Sequence, residues 1–366
     1  LSTSPINLGY ADQPSRSTVI MVPIGGGRVF LLRAPWPAPL GSLTTGLATG
    51  LAAGLKTALL PAALLLTSCG AVHKFGGSAP GQRLQVVTTI LPITIFTRAV
   101  AGDCAEVMPL MPSNVGPHDF QATPDQLVRL RHADVLVKNG LGLEVFLDKL
   151  IANADNPRLR LIDSSQGIAP LASAGHDHDH DHGHPKAKAK VDAGPNPHIW
   201  LDPMRAIQQV NGIRDGLIAA QPSCSAKFTA NAASYTAQLR RLDAELAQKL
   251  KPYAGKTFVT FHDFTPYFAA RYQLKTNFLV DMPEENPTPA DLRRVLQQVN
   301  ASGLRALLSE PQLDSSSFDA LASDLGVKIG SFDSLESGPT AAASQGDYYL
   351  QTMRRNGDAL ATAFGG

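Results

Sequence analysis

Cysteine is scarce in this chain. Cys69, Cys104 and Cys224 are all it has, too few for a disulfide-rich scaffold and wrongly spaced for an all-cysteine zinc site. An excess of one charge is missing as well, since Lys plus Arg is 32 against 31 for Asp plus Glu. That balance excludes the whole-chain field that draws nucleic acid or an anionic surface, so partners must be sought in local sites. No apolar run reaches membrane-spanning length; the one in KTALLPAALLLTSCG, from Lys56, is too short. With 17% charged and 44% hydrophobic residues the composition is globular, and 366 residues are enough for two cores.

What is present begins with residues 1 to 54, rich in Gly, Pro, Ser, Thr and Ala without periodicity and opening on Leu1 rather than Met. This reads as leader or as a misplaced start. The apolar run after Lys56 ends in Leu66-Thr67-Ser68-Cys69, similar to a bacterial lipobox, in which the cysteine takes a lipid and becomes the mature N-terminus. An ordinary cleaved signal or a buried helix are the alternatives. The expected organisation is a leader over 1–69, a tether over 70–83, a lobe over 84–222, a linking helix over 223–252 and a second lobe over 253–366.

From residue 84 strand and helix patterns alternate. QVVTTI (85–90), AEVMPL (105–110), DVLVKN (134–139) and RLRLID (158–163) read as buried strands, with helices between them, one capped by Thr123-Pro124 and one running from about Leu143 to Ala152. Residues 226 to 250 contain no Gly or Pro and carry Phe228, Tyr235, Leu239, Leu242 and Leu246 at helical spacing, which predicts one long rod. The rhythm restarts with KTFVTF (256–261), NFLV (277–280), RALLSE (305–310) and VKIGSF (327–332). The fold class that follows is α/β, with two pseudo-symmetric lobes, each a mostly parallel four-stranded sheet flanked by helices, joined by one long helix.

Ligands of open α/β sheets bind beyond the carboxyl ends of the strands. His118, His198 and His262 fall in such places, and Asp333 follows the last strand of the second lobe. His198 lies in NPHIWLDP, where Asp202 suits a helix N-cap and Pro203 the first helical position. Three imidazoles and a carboxylate are a competent tetrahedral set for Zn(II). His118 and His262 each open an HDF sequence, so Asp119 and Asp263 are candidates to accept a spare ring N–H, or simply to cap a turn. Glu310 is a further cleft-side carboxylate, a replacement ligand or a hydrogen-bond acceptor for one. His132 and His73 lie away from any strand's carboxyl end and read as structural.

HDHDHDHGH, carrying His176, His178, His180, His182 and His184, sits in an insert over 172–195 whose composition cannot bury enough apolar surface to order itself. Alternating imidazole and carboxylate favours weak capture of zinc, nickel or copper over a mere spacer. Cys104 and Cys224 each follow a helix that returns to the amino-terminal edge of the first sheet, which suggests a disulfide in an oxidising compartment, with two buried thiols as the alternative.

VGPHDFQATPDQL, ADVLVKNGLGLEVFLDKL, NPHIWLDPMRA, FVTFHDFTPYFA, PEENPTPADL, LLSEPQLD and FDSLES together resemble the zinc-uptake, ZnuA-like branch (cluster A-I) of the metal-binding proteins of bacterial ABC importers. The resemblance covers the chain from about Arg83 onward. It implies metal held between two lobes by His118, His198, His262 and the acidic position Asp333, and delivery to a membrane permease with its cytoplasmic ATPase. It also implies a periplasmic or lipid-anchored monomer, with no nucleic acid and no membrane attachment beyond a lipid on Cys69. Manganese-binding relatives typically carry a carboxylate where His262 stands, and the zinc branch typically carries the acidic-histidine insert. Asp-Ser-Leu-Glu replaces the family's common Asp-Pro-Leu-Gly, which leaves open whether Asp333 or water completes the site. Rival readings are a receptor for manganese or another divalent metal, a zinc-dependent hydrolase, and an adhesin or zinc chaperone using the same site. The hydrolase needs a general base and a substrate pocket, for which no motif is present.

Overall fold

The computed structural model describes residues 83–118, 120–173, 194–283, 286–302, 306–312 and 316–365. The leader, Cys69, the tether up to residue 82, Asp119 and the histidine run at His176, His178, His180, His182 and His184 lie outside the described residues.

The chain order is β1 (Leu84–Thr88), α1 (Leu91–Ala101), β2 (Ala105–Pro109), α2 (Pro124–His132), β3 (Val135–Lys138), α3 (Leu147–Ala154), β4 (Arg160–Asp163), α4 (Pro203–Ala220) and α5 (Ser225–Leu250). It continues with β5 (Thr257–His262), α6 (Pro266–Arg271), β6 (Lys275–Val280), α7 (Pro289–Ser302), β7 (Ala306–Ser309), α8 (Ser316–Leu325), β8 (Lys328–Ser331) and α9 (Tyr348–Ala363). The strands form two four-stranded sheets, ordered β2-β1-β3-β4 and β6-β5-β7-β8. Every pairing is parallel. Helices cover the faces of such sheets, so the inner strands are apolar on both sides: Val86, Val87, Val135, Leu136 and Val137 are fully buried.

Parallel pairing sends all four strand ends of a lobe the same way, so the loops after β2, β4, β5 and β8 gather where the lobes meet. Helix α5, 26 residues long and therefore about 39 Å, braces both halves. It turns Phe228, Tyr235, Leu239, Leu242 and Leu246 inward along one face and packs on α1, α4 and α9. At the margin of the same face Asp243 takes a two-pronged ion pair from Arg271 at the end of α6, with N–O distances of 2.7 and 2.5 Å. Helix α3 starts later than its sequence pattern predicts. Gly140, Leu141 and Gly142 all take positive φ (93°, 56° and 82°). The buried Glu144 side chain turns back to accept from Asn139 N, Gly140 N and Thr89 Oγ1, which holds this stretch as a loop.

Cys104, just before β2, and Cys224, between α4 and α5, are disulfide-bonded, with Cα atoms 6.3 Å apart. The bond ties the amino-terminal edge of the first sheet to the foot of α5, the end remote from the strand-end loops, and closes a sequence separation of 120 residues. A Cys104→Ser/Cys224→Ser variant is therefore expected to lose about 2–5 kcal/mol of unfolding free energy, read from denaturant midpoints, while its metal affinity stays unchanged.

Candidate metal centre

His198 owes its position to local chemistry. The Asp202 side chain caps α4 by accepting from Met204 N at 2.8 Å, and Pro203 opens the helix. One 3-10 turn, Ile199–Leu201, precedes it with all three side chains buried. The Pro197 carbonyl accepts from Asn139 Nδ2 at 3.0 Å, so the segment is pinned on both sides of the histidine. His262 is the last residue of β5, fully buried. His118 lies in the loop after β2, and that loop is tied to the other lobe where Gly338 N donates to Ser113 O at 2.7 Å.

These three imidazoles converge, with ring centroids 5.4 to 6.5 Å apart. The carboxylate that joins them is Glu336, not Asp333. The ligand atoms of His118, His198, His262 and Glu336 all lie within 4.8 Å of one another. Glu336 Oε1 stands 2.8 Å from His198 Nε2, 3.2 Å from His118 Nε2 and 3.7 Å from His262 Nε2. Donors about 2.0–2.1 Å from a tetrahedral zinc are about 3.3 Å from each other, so this oxygen is already near the spacing the ion requires.

Asp333 corrects the sequence expectation. Its Oδ1 accepts from Leu335 N at 2.8 Å and from Gln312 Nε2 at 3.0 Å, which occupies it inside its own turn. Asn356 of α9 clamps the Asp333 backbone at both N and O. Leu335, at φ 64°, then reverses the chain and sends Glu336 into the cleft. Glu310 acts as a hydrogen-bond partner behind a candidate ligand: its Oε1 lies 2.5 Å from His262 Nδ1. Asp263 does not take the ring N–H of the adjacent His262. Its Oδ2 and backbone carbonyl instead accept from Asn196 Nδ2 at 3.2 and 2.8 Å. Asn196 is a residue that sequence reasoning missed. His132 ends α2 on an exposed surface, apart from the cluster.

A carboxylate buried among imidazoles needs a compensating positive charge. Burial alone would raise the Glu336 pKa, yet His262, His118 and His198 hold it well below the usual carboxylate range. Burial pushes His198 down to about 4, so it is neutral, as a metal ligand must be. On His262 burial also opposes charge, but the Glu310 and Glu336 carboxylates outweigh it and hold its pKa up to about 10. Without metal, a proton on His262 supplies the positive charge. A divalent ion would replace it.

The family model described as ZnuA, zinc-uptake complex component A, periplasmic, matches residues 86–363. The zinc-binding lipoprotein AdcA of Streptococcus pneumoniae serotype 4 is 30% identical over 299 residues, 81% of this chain and 58% of that lipoprotein, so the chain spans a little over half of that relative. The high-affinity zinc uptake system protein ZnuA of Bacillus subtilis strain 168 is 29% identical over 299 residues, 81% of this chain and 93% of the relative. Among solved structures, the Zn(II)-bound ZnuA-like domain of S. pneumoniae AdcA matches with a TM-score of 0.63 at 28% identity, over 77% of this chain and 99% of that domain.

Two measurements follow. Because the His262 proton sits below a pKa of about 10, metal must displace it near neutral pH. Zinc titration calorimetry in buffers of different ionisation heat should register release of about one proton per ion. Affinity should fall about tenfold for each pH unit lost between about 9 and 6. Absence of proton release would show His262 to be neutral beforehand. Separately, Glu336→Gln should weaken zinc binding by more than about tenfold, whereas Asp333→Asn, which keeps the accepting oxygen, should stay within about threefold of wild type.

Proposed function

The chain belongs to the ZnuA family, the periplasmic component A of zinc-uptake complexes, and from that premise we propose that it captures Zn(II) outside the cytoplasm and hands it to an ABC importer. The observation that carries this reading is the meeting of His118, His198, His262 and Glu336 between the lobes, their ligand atoms within 4.8 Å of one another. Three imidazole nitrogens and one carboxylate oxygen match zinc in softness, charge and tetrahedral number; manganese favours more oxygen donors in an octahedron.

The family is one of transport receptors and not of enzymes. Its setting is the cell envelope. We infer export through the segment ending at Cys69, with a lipid on that cysteine anchoring the protein to the outer face of the plasma membrane. The partner we infer is the importer's membrane permease with its cytoplasmic ATPase, met by a monomer whose lobes span 84–222 and 253–366. The run from His176 to His184 belongs to the same reading as an auxiliary, weaker collector of metal.

A direct test compares two variants by zinc titration calorimetry. His262→Ala should lose more than about 100-fold in affinity, since it removes a ligand rather than a supporting partner. Deletion of residues 176–184 should leave the tight site intact. Equal loss in both would refute this division of labour.

A further inference from the structure

Asn196, 1% exposed, touches a zinc-facing imidazole and the opposite lobe with one side-chain amide. Its backbone is fixed: the N–H donates to Leu171 O at 2.8 Å, and the carbonyl accepts from Tyr267 Oη at 2.7 Å. In this structure Nδ2 faces two acceptors of the second lobe, the Asp263 carbonyl at 2.8 Å and Asp263 Oδ2 at 3.2 Å. Turned over, the amide would set its oxygen against those two oxygens and its N–H against the His198 backbone N–H, so both lobes hold it the same way round.

The other edge is Oδ1, which accepts from the His198 backbone N at 3.1 Å and lies 2.9 Å from His198 Nδ1. An acceptor there suits a ring whose Nδ1 carries the proton and whose Nε2, 2.8 Å from Glu336 Oε1, faces the place an ion would take. The supporting partner of His262 differs in kind. Glu310 reaches His262 Nδ1 from within the same lobe, so that contact does not depend on how the lobes are placed.

We propose that Asn196 is a positioning residue that makes the aim of the His198 ring depend on contact between the two lobes. When the lobes part, the amide loses both of its Asp263 acceptors, and only the His198 backbone N–H, in its own lobe, still holds Oδ1. The side chain that fixes the ring through Nδ1 is then less firmly held, and so is the ring. A small separation of the lobes thereby weakens one ligand without displacing it far, a fitting way for a permease to draw the ion out. The inference deepens the zinc-receptor reading and rests on it.

The test is the rate at which zinc leaves the loaded full-length protein into excess chelator, with the visible spectrum of the Co(II)-loaded form as a check on geometry. Asn196→Asp keeps the acceptor for His198 but sets a carboxylate against Asp263. It should release zinc about ten- to hundredfold faster with the tetrahedral Co(II) spectrum retained. Adding Asp263→Asn restores a donor across the lobes and should recover at least about threefold of that loss, a coupling that damaged packing would not produce. Asn196→Ala, lacking both edges, should lose about ten- to hundredfold in affinity. Wild-type release from both single variants, or no recovery in the double variant, would overturn the inference while leaving the zinc reading standing. Failure of the wild-type protein to take up zinc would overturn that reading as well.

Discussion

A carboxylate sealed among three imidazoles is the constraint on which the structure turns. Glu336 is 5% exposed, and removing such a charge from water costs several kcal/mol unless a cation answers it. A proton on His262 gives one answer and a zinc ion would give a better one, because an ion there would engage all four donors at once. The other features of the cleft read as means of keeping those donors in place while the charge is exchanged.

The two lobes do this by being held together at many points rather than hinged freely. Trp200 Nε1 donates to Ser334 O at 2.9 Å, Tyr349 Oη donates to Trp200 O at 2.6 Å, and Arg98 reaches Ala343 O at 2.6 Å. All three bonds cross between the halves of the chain, and α5 runs along both. A wide opening would break several buried hydrogen bonds together, each costly to leave unmade. Capture by slight adjustment of a nearly formed site is the cheaper path. The tilt of a single amide between the lobes fits that economy of motion.

Much of this was legible in the residues. Eight strand patterns, interrupted by one Gly- and Pro-free rod, carry the two-lobed α/β architecture, and parallel pairing places His118, His198 and His262 at strand ends that face each other. The cysteine pair followed from where α1 and α4 must return. What sequence reasoning missed lies in side-chain direction. Asp333 and Glu336 share one short loop, and choosing between them needs the hydrogen bond from Leu335 N to Asp333 Oδ1 and the positive φ of Leu335, neither of which a strand-and-loop pattern carries. The signal was nevertheless in view: the acidic residue that stands where the family commonly has glycine is the one that enters the cleft. The repeated HDF sequence misled for a similar reason. Asp263 is adjacent to His262 in the chain, yet its carboxylate serves Asn196 of the other lobe, a contact that exists only once the lobes have met.

The central claim is that one zinc ion is held by three imidazoles and a single carboxylate. X-ray absorption at the zinc edge on the loaded protein tests it most directly. A four-coordinate shell at about 2.0–2.1 Å, with outer-shell scattering from three imidazole rings and one of the four scatterers lost in Glu336→Ala, is the result expected. A six-coordinate oxygen-rich shell, or a shell indifferent to Glu336, would contradict the account.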